Sequence, residues 1–246
     1  MHLGWSENKT RRIRSLAGVV IRTASKKRRY GKAKLPEVVA PPNALHGYAV
    51  FKNEARPQDG MDYSGMVESG GWVQDFTYLW FDRSHQYLAV VLDLKTRQVV
   101  GWRLGTNHSS ELTYSALLDA LSKHYPPAIL HSDQGSEYLS YKHQLLCERM
   151  EITLSCSAKS SPWQNGFVES FHGRFRDECL NRELLWTLTE ARVVIEDYRR
   201  HYNQLRPHSK LGYQSPAHFA ARSPSPAPVG LRPPYAGDGQ KDNINL

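Results

Sequence analysis

Trp72-Val73-Gln74-Asp75-Phe76-Thr77-Tyr78-Leu79-Trp80 opens the densest pattern in the chain. Aromatic and β-branched types crowd it, which predicts a strand over 72–80. Residues 86–93 and 97–104 read as two more strands, with Asp93-Leu94-Lys95-Thr96 as the turn between them. Three consecutive strands with short connections predict an antiparallel meander. A single acid, Asp75, interrupts the otherwise apolar first strand.

Beyond the meander the period changes. Ser109 or Ser110 starts a helix whose apolar face is Leu112, Ala116, Leu117, Ala120 and Leu121, and Pro126-Pro127 closes it. Ala128-Ile129-Leu130-His131 is a short buried strand, and Asp133 in Ser132-Asp133-Gln134-Gly135 lies just past its end. A helix is predicted over 138–149 and a strand over 152–154. Pro162 precedes a helix running to about Leu180. Its core stripe is Val168, Phe171 and Phe175, and its neighbouring polar face is Glu169, His172, Gly173 and Arg176. A last helix starts at Thr187 or Thr189 and ends near Tyr202. This order predicts an α/β fold, a mixed five-stranded sheet flanked by helices on both faces. Ligands in such sheets gather at strand ends near a switch in strand order.

The 246 residues suffice for one sizeable core plus appendages. No apolar run approaches the roughly 18 residues of a membrane span, and no apolar signal segment follows the basic N-terminus. Three widely spaced cysteines without a Cys-x-x-Cys argue against a disulfide framework and a structural zinc site. A bacterial cytoplasmic, nucleoid-associated location is expected. Charge is unevenly spread. Residues 1–34 carry eleven Lys/Arg against one acid, a net +10, while residues 35–246 carry 21 against 23, a net −2. Arg11, Arg12, Arg14 and Lys26-Lys27-Arg28-Arg29 lie in this block, which reads as a DNA-binding arm; a solvated tail is the bland alternative. Prolines and glycines make 35–71 an irregular linker or insertion, and the Pro- and Gly-rich stretch 223–246 a disordered tail.

Each acid has a dull explanation. Asp75 suits the polar face of an edge strand, Asp133 a turn held by its own side chain, and Glu169 a solvated helix position. Their surroundings argue for more. Unpaired carboxylates converging in a sheet repel and raise each other's pKa. Hard divalent cations remove that penalty, and two such ions can break and join phosphodiesters.

The same residues carry a specific resemblance. Trp72, Asp75 to Tyr78, Tyr87 to Leu94, Arg97, Val100-Gly101-Trp102, His131 to Tyr138, Pro162 to Leu180, Tyr202-Asn203, Arg206-Pro207-His208-Ser209, Leu211-Gly212-Tyr213 and Ser215-Pro216 resemble DDE transposases of the insertion-sequence-three family, which carry a retroviral-integrase type of catalytic core. The spacing of 35 residues between Asp133 and Glu169 belongs to that pattern. The resemblance implies a ribonuclease-H-like core over 72–222. It also implies two Mg²⁺ ions, with Mn²⁺ as a substitute, held by Asp75, Asp133 and Glu169, and cleavage and transfer of DNA strands at element ends and target. Lys159, Asn165, Arg174 and Arg176 are expected to contact DNA, and the chain to act as a homo-oligomer on it.

Several features fit less simply. No full helix-turn-helix is evident, so an upstream-frame partner or fusion is expected to supply one. Glu137 adds an acid near Asp133, where relatives often carry a neutral amide; it either perturbs the metal site or faces solvent. Arg206-Pro207-His208 is expected to fix the turn after the last helix, and His131 to be a satisfied strand-end histidine. A ribonuclease-H-like nuclease or resolvase, and an inactive DNA-binding remnant, are the alternative functions.

Overall fold

Alternation along the first long strand divides its side chains between two cores. The computed structural model describes residues 39–44, 50–51, 61–62, 70–158 and 166–222. A two-residue ladder pairs β1 (Val50–Phe51) with β2 (Met61–Asp62). After it β3 (Gly71–Phe81), β4 (Ser84–Asp93) and β5 (Val99–Gly105) form the meander. Parallel strands β6 (Ile129–Ser132) and β7 (Thr153–Cys156) complete a five-stranded sheet of order β5-β4-β3-β6-β7. The helices are α1 (Ser110–Leu121), α2 (Tyr141–Arg149), α3 (Gly166–Glu178), α4 (Leu188–Gln204) and α5 (Pro216–Arg222). Among the described residues no helix is long and apolar enough to cross a membrane.

On one face Val73, Leu88, Val90 and Leu92 pack with Phe171 and Phe175 of α3 and Ile195, Tyr198 and Tyr202 of α4. On the other, Trp72, Ala89 and Val91 pack with Ala116, Leu117 and Ala120 of α1 and Cys147 of α2. Residues 88–92 are all buried, as a strand covered on both faces requires. All three cysteines, Cys147, Cys156 and Cys179, are free and buried.

The β3–β4 hairpin turns on Asp82 and Arg83, both at positive φ, the handedness that matches strand twist in a two-residue loop. The next turn is held by Asp93. Its Oδ1 accepts the N–H groups of Lys95 (2.9 Å) and Thr96 (2.7 Å), and its Oδ2 accepts from Trp72 Nε1 (3.1 Å). Gly101 sits where β5 meets α1: a Cβ there would fall 2.5 Å from the Ala116 carbonyl oxygen and 2.7 Å from the Ala120 nitrogen.

The tail of the matched pattern proves structural. Asn203, buried on α4, behaves like a short piece of strand: its Oδ1 accepts from Val99 N–H (2.9 Å) and its Nδ2 donates to Val99 C=O (3.0 Å). Arg206 grips Glu178 at the end of α3 through two hydrogen bonds of 2.7 and 2.6 Å, and His208 pairs with Gln214 while its ring stands edge-on to Tyr202. This motif therefore fixes the turn and also ties α4 to α3. Asn203→Leu keeps the volume but strands two backbone groups in the core. We expect it to cost about 2–4 kcal/mol and lower Tm by roughly 5–10 °C in a calorimetric scan. A shift within about 1 °C would show that Val99 finds other partners.

Two sequence expectations differ from the fold, and three short elements go beyond them. The stretch 35–71 contains the β1–β2 ladder, too short to leave a periodic signal. The helix read from 138 begins at Tyr141, because residues 135–138 close a turn with Tyr138 N–H on Gly135 C=O. Two single-turn 3₁₀ helices (Leu180–Arg182, Ser209–Leu211) and the seven-residue α5 had no expectation. Residues 1–34 and 223–246 lie outside the described residues.

Candidate active site

β3 runs parallel to β6, with Val73 level with His131. Two residues further along the same register, Asp75 comes level with Asp133, which follows the last residue of β6. The switch between β3 and β6, neighbours in the sheet but far apart in sequence, is where such a sheet opens a crevice. α3 lies over β3 beside it. His172 Nδ1 stands 3.8 Å from Asp75 Oδ2, and Arg176 Nη2 donates to Thr77 Oγ1 at 3.1 Å. Glu169 is one turn before His172, exposed at the start of α3.

Asp75 is the most constrained of the acids. Burial pushes its carboxyl up to about 7, against a bond from the Phe76 backbone that lowers it; Asp133, Glu169 and Glu137 then add repulsion. His172 does not offset this charge, because burial and then Arg176 lower it to about 4 and leave the ring neutral. The 3.8 Å contact is therefore not an ion pair. Asp133 is exposed, and its Oδ1 accepts from Gly135 N–H at 2.9 Å. The turn reading of Asp133 is thus correct, and it leaves the second oxygen available. A Cβ at Gly135 would sit 2.5 Å from Glu137 Oε1 and 2.9 Å from Asp133 Oδ1, so a side chain there would displace both carboxylates.

Glu137 does not face solvent. Its Oε1 is 3.2 Å from His108 Nε2, its side chain is largely covered, and it shares the field at Asp75. Three carboxylates thus act on Asp75. Even so, among the described residues no three His, Cys, Asp or Glu side chains are gathered tightly enough to hold a metal ion. The donor chemistry nevertheless fits a hard cation: carboxylate oxygens, one of them on a carboxyl that burial and then its acidic neighbours raise to about 7.

Of the residues expected to contact DNA, Arg174 is exposed on α3 and Arg176 is fixed by Thr77. Lys159, Asn165 and the arm residues Arg11, Arg12, Arg14, Lys26, Lys27, Arg28 and Arg29 lie outside the described residues. His131 is buried, with Nδ1 on Ser155 Oγ (2.9 Å) and Nε2 unpartnered among the described residues, so it is only half satisfied. Ser155 Oγ also accepts from Ala44 N–H at 2.9 Å, tying residues 39–44 to β7.

Sequence reasoning missed three contributors. Gln74, fully buried beside Asp75, donates to Thr113 C=O (2.6 Å) and meets His143 Nε2 through Oε1 (3.0 Å), pinning β3 to α1 and α2. His172 was placed on a polar face but is buried. Tyr138 is buried with its hydroxyl unpartnered among the described residues, and its ionisation is opposed by burial first and by Asp75 next. A polar residue on the strand face that also carries Trp72 and Phe76 was the available signal for Gln74.

The Asp75 carboxyl makes a stability prediction with a definite sign. Titrating near 7 instead of 3.8, the folded chain holds this proton more tightly than the unfolded chain does. Stability is therefore full below about pH 4, declines up to about pH 7 and is flat above. Without divalent metal, Asp75→Asn is expected to melt about 5 °C above the parent at pH 8 and level with it near pH 4. Equal differences at both pH values would refute the burial argument.

Two family models, each described as an integrase core domain, match residues 68–162 and 150–216. The chain is 38% identical to the insertion element IS600 uncharacterized 31 kDa protein of Shigella sonnei, over 60% of this chain and 56% of that one. It is 34% identical to the transposase for insertion sequence element IS904 of Lactococcus lactis, over 60% of each chain. It is 32% identical to the transposase InsF for insertion sequence IS3A of Escherichia coli, over 80% of this chain and 68% of that one. The chain thus spans little more than half the length of the first two relatives. The fold resembles the HTLV-2 integrase catalytic core domain in complex with magnesium (TM-score 0.52, 21% identity, 62% of this chain and 97% of that one). It also resembles the BIV integrase catalytic core (TM-score 0.51, 20% identity, 63% and 95%). The mixed sheet with flanking helices is the ribonuclease-H-like arrangement of those cores.

Proposed function

Since the chain belongs to the insertion-sequence-three family of DDE transposases with an integrase core domain, we propose that it is a metal-dependent polynucleotidyl transferase that cleaves and joins the DNA strands of a mobile element. The observation that carries the site assignment is Asp75: a mostly buried carboxyl, raised to about 7, in the combined field of Asp133, Glu169 and Glu137. Asp75, Asp133 and Glu169 are the residues that would hold the cations. Two Mg²⁺ ions held there, or Mn²⁺ in their place, would supply Lewis-acid chemistry for the attacking and departing oxygens.

The chain's own residues prepare that chemistry. Gln74 and its two bonds fix the β3 backbone, so Asp75 is held on a rigid strand and not on a loop. Gly135 N–H orients Asp133. In this reading Glu169 comes from α3, which is anchored two turns on by Arg176 at Thr77. Arg174 and Arg176 give the helix positive charge for phosphate, and the basic residues 1–34 add sequence-independent affinity for element ends and target. A homo-oligomer on DNA and an upstream-frame helix-turn-helix partner complete this reading, located in the bacterial cytoplasm at the nucleoid.

The test is joining of a labelled DNA 3′-hydroxyl end to a target duplex in Mg²⁺. A nuclease or resolvase of the same fold would cut without joining. A remnant would bind DNA and do neither.

A further inference from the structure

Beyond Val73 the β6 ladder stops, while β4 stays paired with β3 as far as Phe81. β3 therefore continues past the acid site with one flank uncovered by β6. Two large aromatics are displayed on this extension. Tyr78 is 56% and Trp80 65% exposed, whereas Thr77, Leu79 and Phe81 between and beside them are buried. His85, across the hairpin, stands edge-on to both rings, at 5.4 Å from Tyr78 and 4.7 Å from Trp80. The Arg176 guanidinium lies 5.1 Å from the Tyr78 ring centre, and its bond to Thr77 keeps it there. A cleft of about 290 Å³ runs alongside, between these residues and Leu180 and Asn181, with Glu183 as its acid. None of these rings contributes to either core, so packing does not account for them.

We propose that Tyr78, Trp80 and His85, with Arg176, form a stacking platform for unpaired bases of the DNA strand that leaves the acid site. The proposal rests on the DNA-processing reading above and goes beyond it by naming what is bound and where. Tyr78 is three residues from Asp75, about 10 Å along β3, an odd offset that turns its ring to the other face of the strand; Arg176, bonded to Thr77 and lying over Tyr78, bridges the two faces at the edge that β6 leaves uncovered. A strand whose phosphate is at Asp75 reaches the rings within a few nucleotides. Every base has a π-face, so aromatic platforms take single strands with little sequence preference. In a duplex those faces are covered by neighbouring base pairs, so the platform selects frayed or single-stranded DNA. Arg176 supplies the cation that a nucleic acid needs and an apolar protein partner does not.

The test uses the full chain and fluorescence anisotropy with three labelled DNAs: a blunt duplex, the same duplex with a short single-stranded extension, and that extension built from abasic sites. The abasic strand keeps the phosphates and removes the rings. The parent is expected to bind the base-bearing extension about tenfold more tightly than the abasic one. Trp80→Ala should erase that preference and leave blunt and abasic affinities within about twofold, while Trp80→Phe and Tyr78→Phe should retain most of it. A parent indifferent to the bases overturns the platform, as does an equal loss by Trp80→Ala on all three DNAs. If Trp80→Ala instead converts an oligomer to monomers in sedimentation and keeps the base preference, the surface belongs to a second copy and the proposal fails. Failure of the parent to bind even the blunt duplex would remove the DNA-processing reading, and the platform with it.

Discussion

Strand joining by Asp133→Asn or Glu169→Gln is expected to fall by about three orders of magnitude or more in Mg²⁺, with DNA binding nearly unchanged. The amides keep the shape of each side chain and remove one negative charge. Asp133 and Glu169 are both exposed, so neither change should unfold the chain. The amide introduced by Asp133→Asn retains an oxygen for the Gly135 N–H, which preserves the turn. What is lost is anionic oxygen for the cations, a property that the arginines proposed to contact phosphate do not share. A joining assay run beside anisotropy on the same duplex separates the two effects. Glu137 is the informative control. It shares the field of Asp75 but is already engaged with His108, so Glu137→Gln should keep most of the activity. Parental rates from Glu169→Gln, with loss from Glu137→Gln, would transfer the third acid to Glu137.

Gly101→Ala is the substitution with the largest expected structural effect. One methyl group would sit 2.5 Å from a backbone oxygen and 2.7 Å from a backbone nitrogen of α1. Both atoms belong to the helix's own hydrogen-bond ladder, so neither can move without moving α1. That helix buries Ala116, Leu117 and Ala120 against β4 and β5. Pushing it outward opens that core, at a cost of about 3 kcal/mol or more out of a typical 5–15. A fall in Tm of roughly 10 °C, measured by circular dichroism, is expected. A loss below about 2 °C would mean that β5 yields instead, through the register shift already present between Val91 and Leu92.

The meander, the two flanking layers and the core stripe of α3 were legible because they rest on hydrophobic periods long enough to read. Val168, Phe171 and Phe175 are buried as their spacing required. Asp75 and Asp133 were legible as acids at strand positions where apolar residues or turns dominate. Contacts between residues distant in sequence were not legible. Nothing near Asn203 indicates that its amide pairs with Val99, and nothing near His172 indicates that it is covered by β3. The β1–β2 ladder and α5 were too short for a period to register. The Arg-Pro-His tail was read as a turn, yet its grip on Glu178 depends on where α3 ends in space.

The three cysteines carry a practical consequence. Burial raises Cys147 to about 12 and Cys179 to about 11, and raises Cys156 as well, so the reactive thiolate is scarce in the folded chain. Cys147 belongs to the layer under α1 and α2, and Cys179 to the layer under α3 and α4. Alkylation of Cys147 and of Cys179 therefore times the breathing of the layer each belongs to. The chain carries two internal clocks, one on each side of the sheet, that need no engineered cysteine.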